Sequence, residues 1–454
     1  MSALRVAMAL LLTAAIILSG CNTLRTPYQR PATATPSSYA HADSEARASI
    51  DRWWENFHDS NLNAVVSKAL KVNPDLALAA LSVRSASLQT HLAVINPTVA
   101  AGYIYEASKP LNGAAPTTQF HSLTASASYE IDLWGQLAAE RDAARWQERA
   151  TREDRESSAL LLIGSVVDLY FGIADLNLEI SFGEANIASA DKSLHLVQIL
   201  TSAGGATALD VATSEQALET LKGAQSALIE ARVERRNALT VLLAGTPWPE
   251  NQERASVPHD PPPAVDARMP ATLLDRRPDL RAAEMRLRET LAQSDATRLS
   301  FYPNLSLTGS LGTASTGLSE IVSNPLGSLA ASLSLPFIQF NQAKFATALA
   351  RTEYDEAVLR FKKTLWQALS DVDNALSART QLEEQSAALA RSLQSARTIE
   401  RLIEIRYRAG AVSVSSWLDA KTLRRQAEVA LSINRLAKLE NYATLCLALG
   451  GAST

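Results

Sequence analysis

Few residue patterns in this sequence have a spacing that could support catalysis. Ser189 and Lys192 fit the S-x-x-K pattern of serine acyl transfer, in which a lysine assists a nucleophilic hydroxyl. They fall inside a long helical segment without a companion motif, so we expect a solvent-exposed helix surface there. The sequence contains neither a G-x-S-x-G nucleophile motif nor a phosphate-binding glycine loop.

The histidines do not form a metal-binding pattern. All six lie far apart in the sequence, and no pair has the spacing of metal ligands. The sequence therefore predicts no metal site, no cofactor and no enzyme activity. The histidines are His41, His58, His91, His121, His195 and His259.

Cys21 is the residue whose setting predicts a chemical modification. Arg5 precedes an apolar run at residues 6–18, which is too short to span a bilayer comfortably. The following residues resemble the bacterial lipoprotein cleavage box, which implies a signal peptide at residues 1–20 and acyl chains on Cys21. Asn22 follows the cysteine, which by the same resemblance implies passage to the outer membrane. The alternative is an ordinary secretion signal with an incidental cysteine.

Charge and cysteine content argue against two further features. The chain has 43 Lys and Arg against 47 Asp and Glu, a formal net charge of −4, without a basic segment. Binding to nucleic acid needs a concentrated basic face, so nucleic acid is not an expected partner. Cys446 is the only other cysteine, and with Cys21 lipidated it has no disulfide partner. We expect Cys446 to be a small buried apolar residue.

The sequence contains an internal repeat. Four landmarks of the first half recur in the second half at an offset of about 204 to 206 residues, which chance does not readily produce. We predict two homologous halves, residues 21–246 and 271–454, joined by a Pro-rich linker at residues 247–270. The paired landmarks are residues 73–76 and 277–280, Pro97 and Pro303, residues 128–131 and 332–335, and residues 203–204 and 409–410.

Each half contains a very long segment without proline. No proline occurs between Pro116 and Pro247, and none follows Pro336. Because a proline in a helix interior costs ~3 kcal/mol, its absence favours long helices. We predict helices at residues 137–200 and 341–405, each roughly 65 residues and on the order of 100 Å long.

Glycines mark the end of each long helix, and the charge pattern places both helices in water. Gly204 and Gly410 interrupt the helical pattern where the chain must turn, because glycine tolerates positive φ. Ten charged residues crowd the segment 141–156, which favours a solvated face over a binding site. On this reading no long helix is apolar enough to lie in lipid.

Four short segments alternate apolar and polar residues. Residues 120–131, 305–312 and 328–335 alternate Leu or other apolar residues with Ser and Thr, and residues 99–107 do so more weakly. Each is roughly 9 to 11 residues long, the length of a tilted membrane strand. Apolar residues outside and hydroxyls inside are typical of a transmembrane barrel with a wet lumen. A soluble β-sandwich alternates in the same way.

Four strands cannot close a barrel by themselves. Open sheet edges are not tolerated in lipid, so we expect several copies of the chain to contribute strands to one barrel. Three copies would give twelve strands, an even antiparallel number. Aromatic residues near the strand ends fit an interfacial girdle. They are Phe120, Trp134, Phe301, Tyr302, Phe337 and Phe340.

Together these landmarks resemble the outer-membrane factor family of TolC-like channels, specifically its lipoprotein branch of the NodT/OprM type. The matching segments occur in family order over nearly the whole mature chain. They are Trp53-Trp54 with Phe57 and Asp59, and residues 73–76, 130–135, 276–280, 301–303, 335–337 and 406–410.

The resemblance implies a mainly α fold with a small β part. A trimeric transmembrane β-barrel, with four strands per chain, would continue into a long periplasmic α-helical barrel. Residues near 53–71, the linker and the C-terminal end would form a belt around it. The implied function is the outer-membrane channel of a tripartite efflux system for small toxic compounds or drugs. The implied partners are a periplasmic adaptor, an inner-membrane pump, usually of the RND class, and outer-membrane lipid.

The resemblance also implies roles for the helix turns. The family's tip motif reads approximately Arg-Tyr-x-x-Gly, which matches Arg406, Tyr407 and Gly410 and implies adaptor docking there. Gly204 occupies the corresponding turn of the first half, but that turn has neither the Arg nor the Tyr.

Two carboxylates match acidic positions of the family's periplasmic gate. Threefold symmetry would bring copies of Asp210 and of Asp419 close to the axis, where like charges repel and favour hydration or cation binding. The alternative is helix capping or compensation of the helix dipole. Ser415 stands where relatives carry a bulky apolar residue, so we expect a closed state that depends more on charge than on an apolar plug.

Two other functions remain open from the sequence. One is an outer-membrane conduit for protein or peptide secretion driven by an ATP-dependent exporter. The other is a structural periplasmic lipoprotein that never forms a pore, which would leave the four amphipathic strands unexplained.

Overall fold

The computed structural model describes residues 24–33, 36–39, 41, 51–111, 116–258, 265, 270–318, 323 and 325–451. Cys21, the predicted signal peptide and much of the predicted linker lie outside the described residues. The described elements are α1 (Ser60–Val72), α2 (Pro74–Leu92), β1 (Thr98–Ser108), β2 (Thr118–Ile131), α3 (Gln136–Ser202), α4 (Ala208–Leu242), α5 (Leu273–Arg276), α6 (Pro278–Leu299), β3 (Asn304–Ser315), β4 (Pro325–Ser334), α7 (Phe340–Arg408) and α8 (Val414–Ala448).

The mainly α fold with a small β part is confirmed. The order of a helix, two strands, a very long helix and a second long helix occurs twice, once from α2 to α4 and once from α6 to α8. The two longest helices have 67 and 69 residues, and each end lies within three residues of the predicted one.

The first of the repeated sequence landmarks starts a helix. The side chain of Asn73 accepts a hydrogen bond from the Leu76 amide at 3.0 Å, and Pro74 opens α2 where no backbone donor is needed. The Asn73 side chain also donates to the carbonyl of Leu242 at 3.1 Å, at the end of α4. One residue thus caps a helix and ties it to a neighbour.

The corresponding residue of the second half, Arg277, makes ion pairs where Asn73 makes amide hydrogen bonds. Arg277 precedes Pro278 and pairs with Asp279 at 2.8 Å and with Asp371 of α7 at 3.3 Å. It also donates to the carbonyl of Ala448 at 3.2 Å, at the end of α8. Burial opposes the charge of Arg277, but the two carboxylates outweigh it and raise the pKa.

The chain divides into two compact units. Unit 1 contains the described residues within 1–33, 81–152 and 282–363, and unit 2 those within 34–80, 153–281 and 364–454. The strands belong to unit 1, and the turns between the long helices belong to unit 2.

In unit 1, the segment that follows the predicted lipidation site binds to α6. The backbone amide and hydroxyl of Thr26 donate to Asp295 at 2.7 and 2.8 Å. Arg30 pairs with Glu284 at 2.7 Å, and Tyr28 donates to the same carboxylate at 3.2 Å. These contacts fix the chain a few residues after Cys21.

In unit 2, the hydrophobic core brings the two halves of the sequence together. Trp53 and Trp54 are fully buried, and Trp53 contacts Tyr442 of α8 at a ring distance of 6.2 Å. Phe57 packs on Phe171 of α3 at 4.9 Å. Aromatic pairs of this kind add to the apolar burial that stabilises the unit.

The apolar character of α3 departs from the expectation. By length and composition α3 contains a stretch apolar enough to cross a membrane. The prediction that no long helix is apolar enough to lie in lipid is therefore wrong for α3. The physical reason is packing, since 78% of that stretch is buried inside the fold. Such a helix is typical of a protein core.

Candidate functional site

The strands form one antiparallel sheet in the order β1-β2-β3-β4. The pairing runs from Thr98 opposite Ser128, through Ser128 opposite Thr308, to Thr308 opposite Ala330. Strands β2 and β3 come from different halves of the chain, so the sheet joins the two repeats. All four predicted strands are present.

The register separates the two faces of the sheet by polarity. On one face hydroxyls lie opposite one another, with Ser310 and Ser328 at 2.7 Å and Ser128 and Thr308 at 2.9 Å. On the other face leucines stand exposed, among them Leu329 at 82%. Since side chains alternate across a strand, this register gives one face rich in hydroxyls and one rich in apolar side chains.

His121 is an exception on the apolar face. His121 is only 7% exposed, because Tyr103 and Tyr105 of β1 cover its ring. The Tyr103 hydroxyl and His121 Nδ1 are 2.7 Å apart, which satisfies one polar atom of the ring. Sequence analysis missed this contact, which depends on the pairing of β1 with β2.

Aromatic side chains fasten one end of the sheet. The indole of Trp134 donates to the carbonyl of Pro303 at 2.6 Å and lies 5.4 Å from the ring of Tyr302. Two predicted girdle residues are thus brought together where β2 ends and β3 begins.

The two long-helix hairpins turn with the same backbone geometry. Gly204 has φ +77° and Gly410 has φ +73°, the left-handed conformation expected of glycine at these positions. In each turn the amide of the following residue bonds back to a helix carbonyl, from Gly205 to Leu200 at 2.7 Å and from Ala411 to Arg406 at 2.9 Å.

Asp210 acts as a helix cap. It completes a capping box at the start of α4, accepting from the amide and the hydroxyl of Thr207 at 2.9 and 2.7 Å, and its own amide donates to Thr207 Oγ1 at 3.3 Å. These hydrogen bonds lower the pKa of Asp210. The capping alternative therefore describes its position in this chain.

Asp419 and Ser415 have a different setting. Both are exposed, and Asp419 lies in the second turn of α8, whose N-cap is Ser413. Ser413 accepts from the Ser416 amide at 3.3 Å. Capping therefore does not account for Asp419, and its predicted gate role stays a prediction.

Tyr407 packs into a small core between the two turns. Its ring stacks on Trp417 at 4.9 Å, and the buried Val197 and Val414 complete the cluster. Burial, followed by the negative charge of Asp210, raises the pKa of Tyr407. The structure thus places a predicted docking residue near a predicted gate residue, while Arg406 is exposed.

Lys421 is a buried cation that sequence analysis missed. It is 8% exposed, and its ammonium donates to Ser189 and Ser193 of α3 at 3.1 and 3.0 Å and lies 4.1 Å from the ring of Trp417. Burial lowers its pKa. Ser189 and Lys192 are exposed as expected, but Ser189 also holds this lysine in place.

Two carboxylates one turn apart on α3 were also missed. Asp175 is buried and accepts a hydrogen bond from the hydroxyl of Ser432 in α8, and burial raises its pKa. Burial and the neighbouring Asp175 raise the pKa of Glu179 to about 7. Like charges at this spacing disfavour ionisation of both.

Within the described residues, no group of His, Cys, Asp and Glu could hold a metal ion. Cys446 is fully buried, as expected, and burial raises the pKa of its thiol to about 12. A thiol held in the protonated form is a poor nucleophile.

Comparison with known proteins assigns these features to a family. The family model described as outer membrane efflux protein matches residues 65–245 and 269–451. The two matched segments together cover more than half of the chain.

Individual relatives match over almost their full length. Toxin and drug export protein A of Aggregatibacter actinomycetemcomitans is 29% identical over 428 residues, which is 93% of each chain. The antibiotic efflux pump outer membrane protein ArpC of Pseudomonas putida is 29% identical over 455 residues, 96% of this chain and 94% of that one. The open-state structure of the Neisseria gonorrhoeae MtrE outer membrane channel superposes with a TM-score of 0.82 at 26% identity, covering 94% and 98%.

Proposed function

The chain belongs to the outer membrane efflux protein family, and we propose that it is the channel subunit of a tripartite efflux system. In this role it gives small toxic compounds or drugs passage from the periplasm to the outside. The names of relatives that export drugs and antibiotics support this cargo class. The polar channel wall selects little by itself, so the cargo is chosen mainly by the pump.

The two-faced sheet is the observation that carries the proposal. Exposed leucines on one face suit lipid, and paired hydroxyls on the other suit a water-filled lumen. A soluble sandwich would bury the leucine face against a second sheet. In the described part of the chain all four strands belong to this one sheet.

A homotrimer is the assembly that we propose. Within the described residues β1 and β4 each pair on one side only, so a single chain leaves two unpaired edges. Three copies supply twelve antiparallel strands, and every edge finds a partner. The long helices of three chains then form the periplasmic helical barrel, with the core around Trp53 and the C-terminal end of α8 as its belt.

Lipidation of Cys21 anchors the proposed trimer in the outer membrane. Thr26, Tyr28 and Arg30, which follow the acylated cysteine in the sequence, bind to α6. Several acyl chains give stable anchoring where one alone would not.

The hairpin turns are the proposed contact with a periplasmic adaptor. Through this adaptor an inner-membrane pump of the proton-driven RND class, the class that the family resemblance implies, delivers cargo. Arg406 and Gly410 present an exposed charge and an exposed turn for this contact. Tyr407 is held by Trp417, so its share is to orient the turn. Gly204 offers the same backbone turn without the charged side chain.

We propose no catalytic role for the chain. Its two repeats, residues 21–246 and 271–454, supply equivalent strand pairs and hairpins to one conduit, with the linker at residues 247–270 between them. Asp419 and Ser415 are the proposed gate residues, together with Asp210, whose carboxylate caps α4.

The decisive experiment measures mass and conductance on the same detergent-extracted protein. Light scattering should give three chains per particle, and planar bilayers containing the particle should show single-channel conductance. A stable monomer would leave two open sheet edges and would overturn the channel in favour of a structural lipoprotein. A trimer without conductance would contradict the conduit function but not the trimeric assembly.

A conduit for secreted protein is the second candidate, because one relative is named for the export of both toxin and drug. Deleting the gene separates the two. Drug accumulation in the cells with unchanged secreted protein supports efflux of small compounds, whereas loss of a secreted protein with unchanged drug accumulation supports secretion.

A further inference from the structure

Unit 2 contains a cavity that the proposed channel function does not use. It has a volume of about 560 Å³ and lies between α3, α7 and α8. Leu178, Phe182, Leu393 and Leu431 supply its apolar lining. A volume of this size is within the range of small-molecule sites.

Arginines supply most of the charge around this cavity. Arg397, Arg401 and Arg435 line it together with Glu428, so three positive charges face one negative charge. Arg397 pairs with Glu428 at 3.1 Å. In the part of the chain that the structure describes, neither Arg401 nor Arg435 makes a hydrogen bond or an ion pair.

The nearby carboxylates are engaged elsewhere. Glu400 pairs with Arg424 at 2.5 Å, and Asp175 accepts from the Ser432 hydroxyl. Glu179, next to Leu178, has a raised pKa, so its charge is reduced near neutral pH. None of these groups cancels the charge of Arg401.

The antiparallel packing of α7 and α8 orders the lining along the cavity. Arg424 meets Glu400 at one end, and Asn434 donates to the carbonyl of Leu382 at the other. Arg401 and Arg435 therefore lie towards opposite ends, with the apolar side chains between them. From Ala390 to Arg401 the helix advances by eleven residue steps, which correspond to about 16 Å.

We propose that this cavity binds a small amphipathic organic anion, a carboxylate or sulfonate with an elongated apolar body. The acidic group pairs with Arg401, whose guanidinium is always charged and fits such groups in a two-point geometry. The apolar body lies on Leu178, Phe182, Leu393 and Leu431. Arginines at both ends exclude an amine of the same shape by repulsion.

A ¹⁹F NMR titration tests this ligand class. The probe is 4-[4-(trifluoromethyl)phenyl]butanoate, added to the full mature oligomer in a neutral detergent. The alcohol and the amine of the same skeleton report partition into the micelle. We expect saturable binding of the butanoate at least tenfold tighter than that of the alcohol, and no saturable binding of the amine.

Three variants locate the site. Arg401→Gln should weaken the butanoate tenfold or more, and Ala390→Trp should abolish binding by filling the cavity from an exposed position. Arg391→Gln is the matched control, since Arg391 is exposed on α7 outside the cavity lining, and should bind as the wild type does. All three variants must elute from a size-exclusion column at the volume of the wild-type oligomer, so that a change in binding is not due to a change in assembly.

Two results would overturn the proposal. One is equal affinity for the butanoate and the alcohol, which would leave apolar partition alone. The other is wild-type affinity in Arg401→Gln or in Ala390→Trp, which would place the anion elsewhere. The titration requires no transport, so it stands or falls separately from the channel function.

Discussion

Glu179 is a residue whose environment opposes its charge. Burial and the adjacent Asp175 raise its pKa to about 7 from an ordinary value of 4.5. The folded state therefore binds the proton more tightly than the unfolded state does, and the free energy of unfolding falls as the pH rises from 4.5 to about 7.

Replacing this carboxylate should stabilise the protein at alkaline pH. We expect Glu179→Gln to exceed the wild type in unfolding free energy above pH 7, by up to about 3 kcal/mol, because each pKa unit corresponds to about 1.4 kcal/mol. The difference should vanish below the ordinary pKa of a glutamate. Denaturant midpoints of the detergent-solubilised protein at acid and alkaline pH measure this change.

The control is a glutamate on the same helix with a different setting. Glu184 is exposed on α3, so Glu184→Gln should alter the midpoint little at either pH. An equal gain in both variants would assign the effect to the overall charge of the protein and contradict the burial argument for Glu179.

Helix α4 begins with a capping box that contains Asp210, a residue that the gate hypothesis had placed near the threefold axis. Asp210 and Thr207 satisfy two backbone amides reciprocally at its start. We expect Thr207→Ala and Asp210→Ala each to lower the free energy of unfolding and the double variant to cost much less than the sum, since both remove one capping box. Faster hydrogen exchange in the first turn of α4 should accompany the loss.

Asp419, the other predicted gate carboxylate, serves as the comparison with Asp210 because it does not cap its helix. Because Ser413 caps α8, Asp419→Ala should leave stability and exchange unchanged. If Asp419 acts at the gate, the same variant loses the cation dependence of conductance. Unchanged conductance would remove Asp419 from the gate, and a destabilised Asp419→Ala would contradict the assignment of the cap to Ser413.

At this scale the sequence predicted where elements lie better than what their side chains contact. Prolines and glycines delimit α3 and α7 locally, so the absence of Pro and the position of Gly410 predicted the helix ends. The burial of Lys421 depends on Ser189, more than 200 residues away, and on the rotation of two helices about their axes. Small errors in the assumed number of residues per turn add up along a 67-residue helix. The sequence therefore does not predict which side of α3 faces Lys421.

The two outer edges of the sheet determine which assembly of the protein is possible in a membrane. In the described residues β1 and β4 are the outer strands, and their backbone groups lack a second partner strand. In lipid each unsatisfied group costs several kcal/mol, so the monomeric sheet cannot remain open there. A closed antiparallel barrel must place β4 of one chain beside β1 of the next.

Disulfide crosslinking tests this closure directly. Thr98 and Ser334 lie at the same end of the edge strands. Closure with Thr98 opposite Ser334 would bring Ala101 opposite Ala331, and a register shift of two residues would bring it opposite Leu329 or Leu333. We expect Ala101→Cys combined with one of these cysteines to give covalent dimers and trimers on oxidation in membranes. Each single variant should remain a monomer on a non-reducing gel.

An internal pair supplies the control for oxidation. Ala101 lies opposite Ala125 within one sheet, so the double variant Ala101→Cys and Ala125→Cys should form a bond inside the chain without multimers. The native Cys446 is fully buried and does not compete. If the internal pair oxidises while all three edge combinations stay monomeric, the edges of neighbouring chains do not meet, and the trimeric barrel is wrong whatever the mass of the particle.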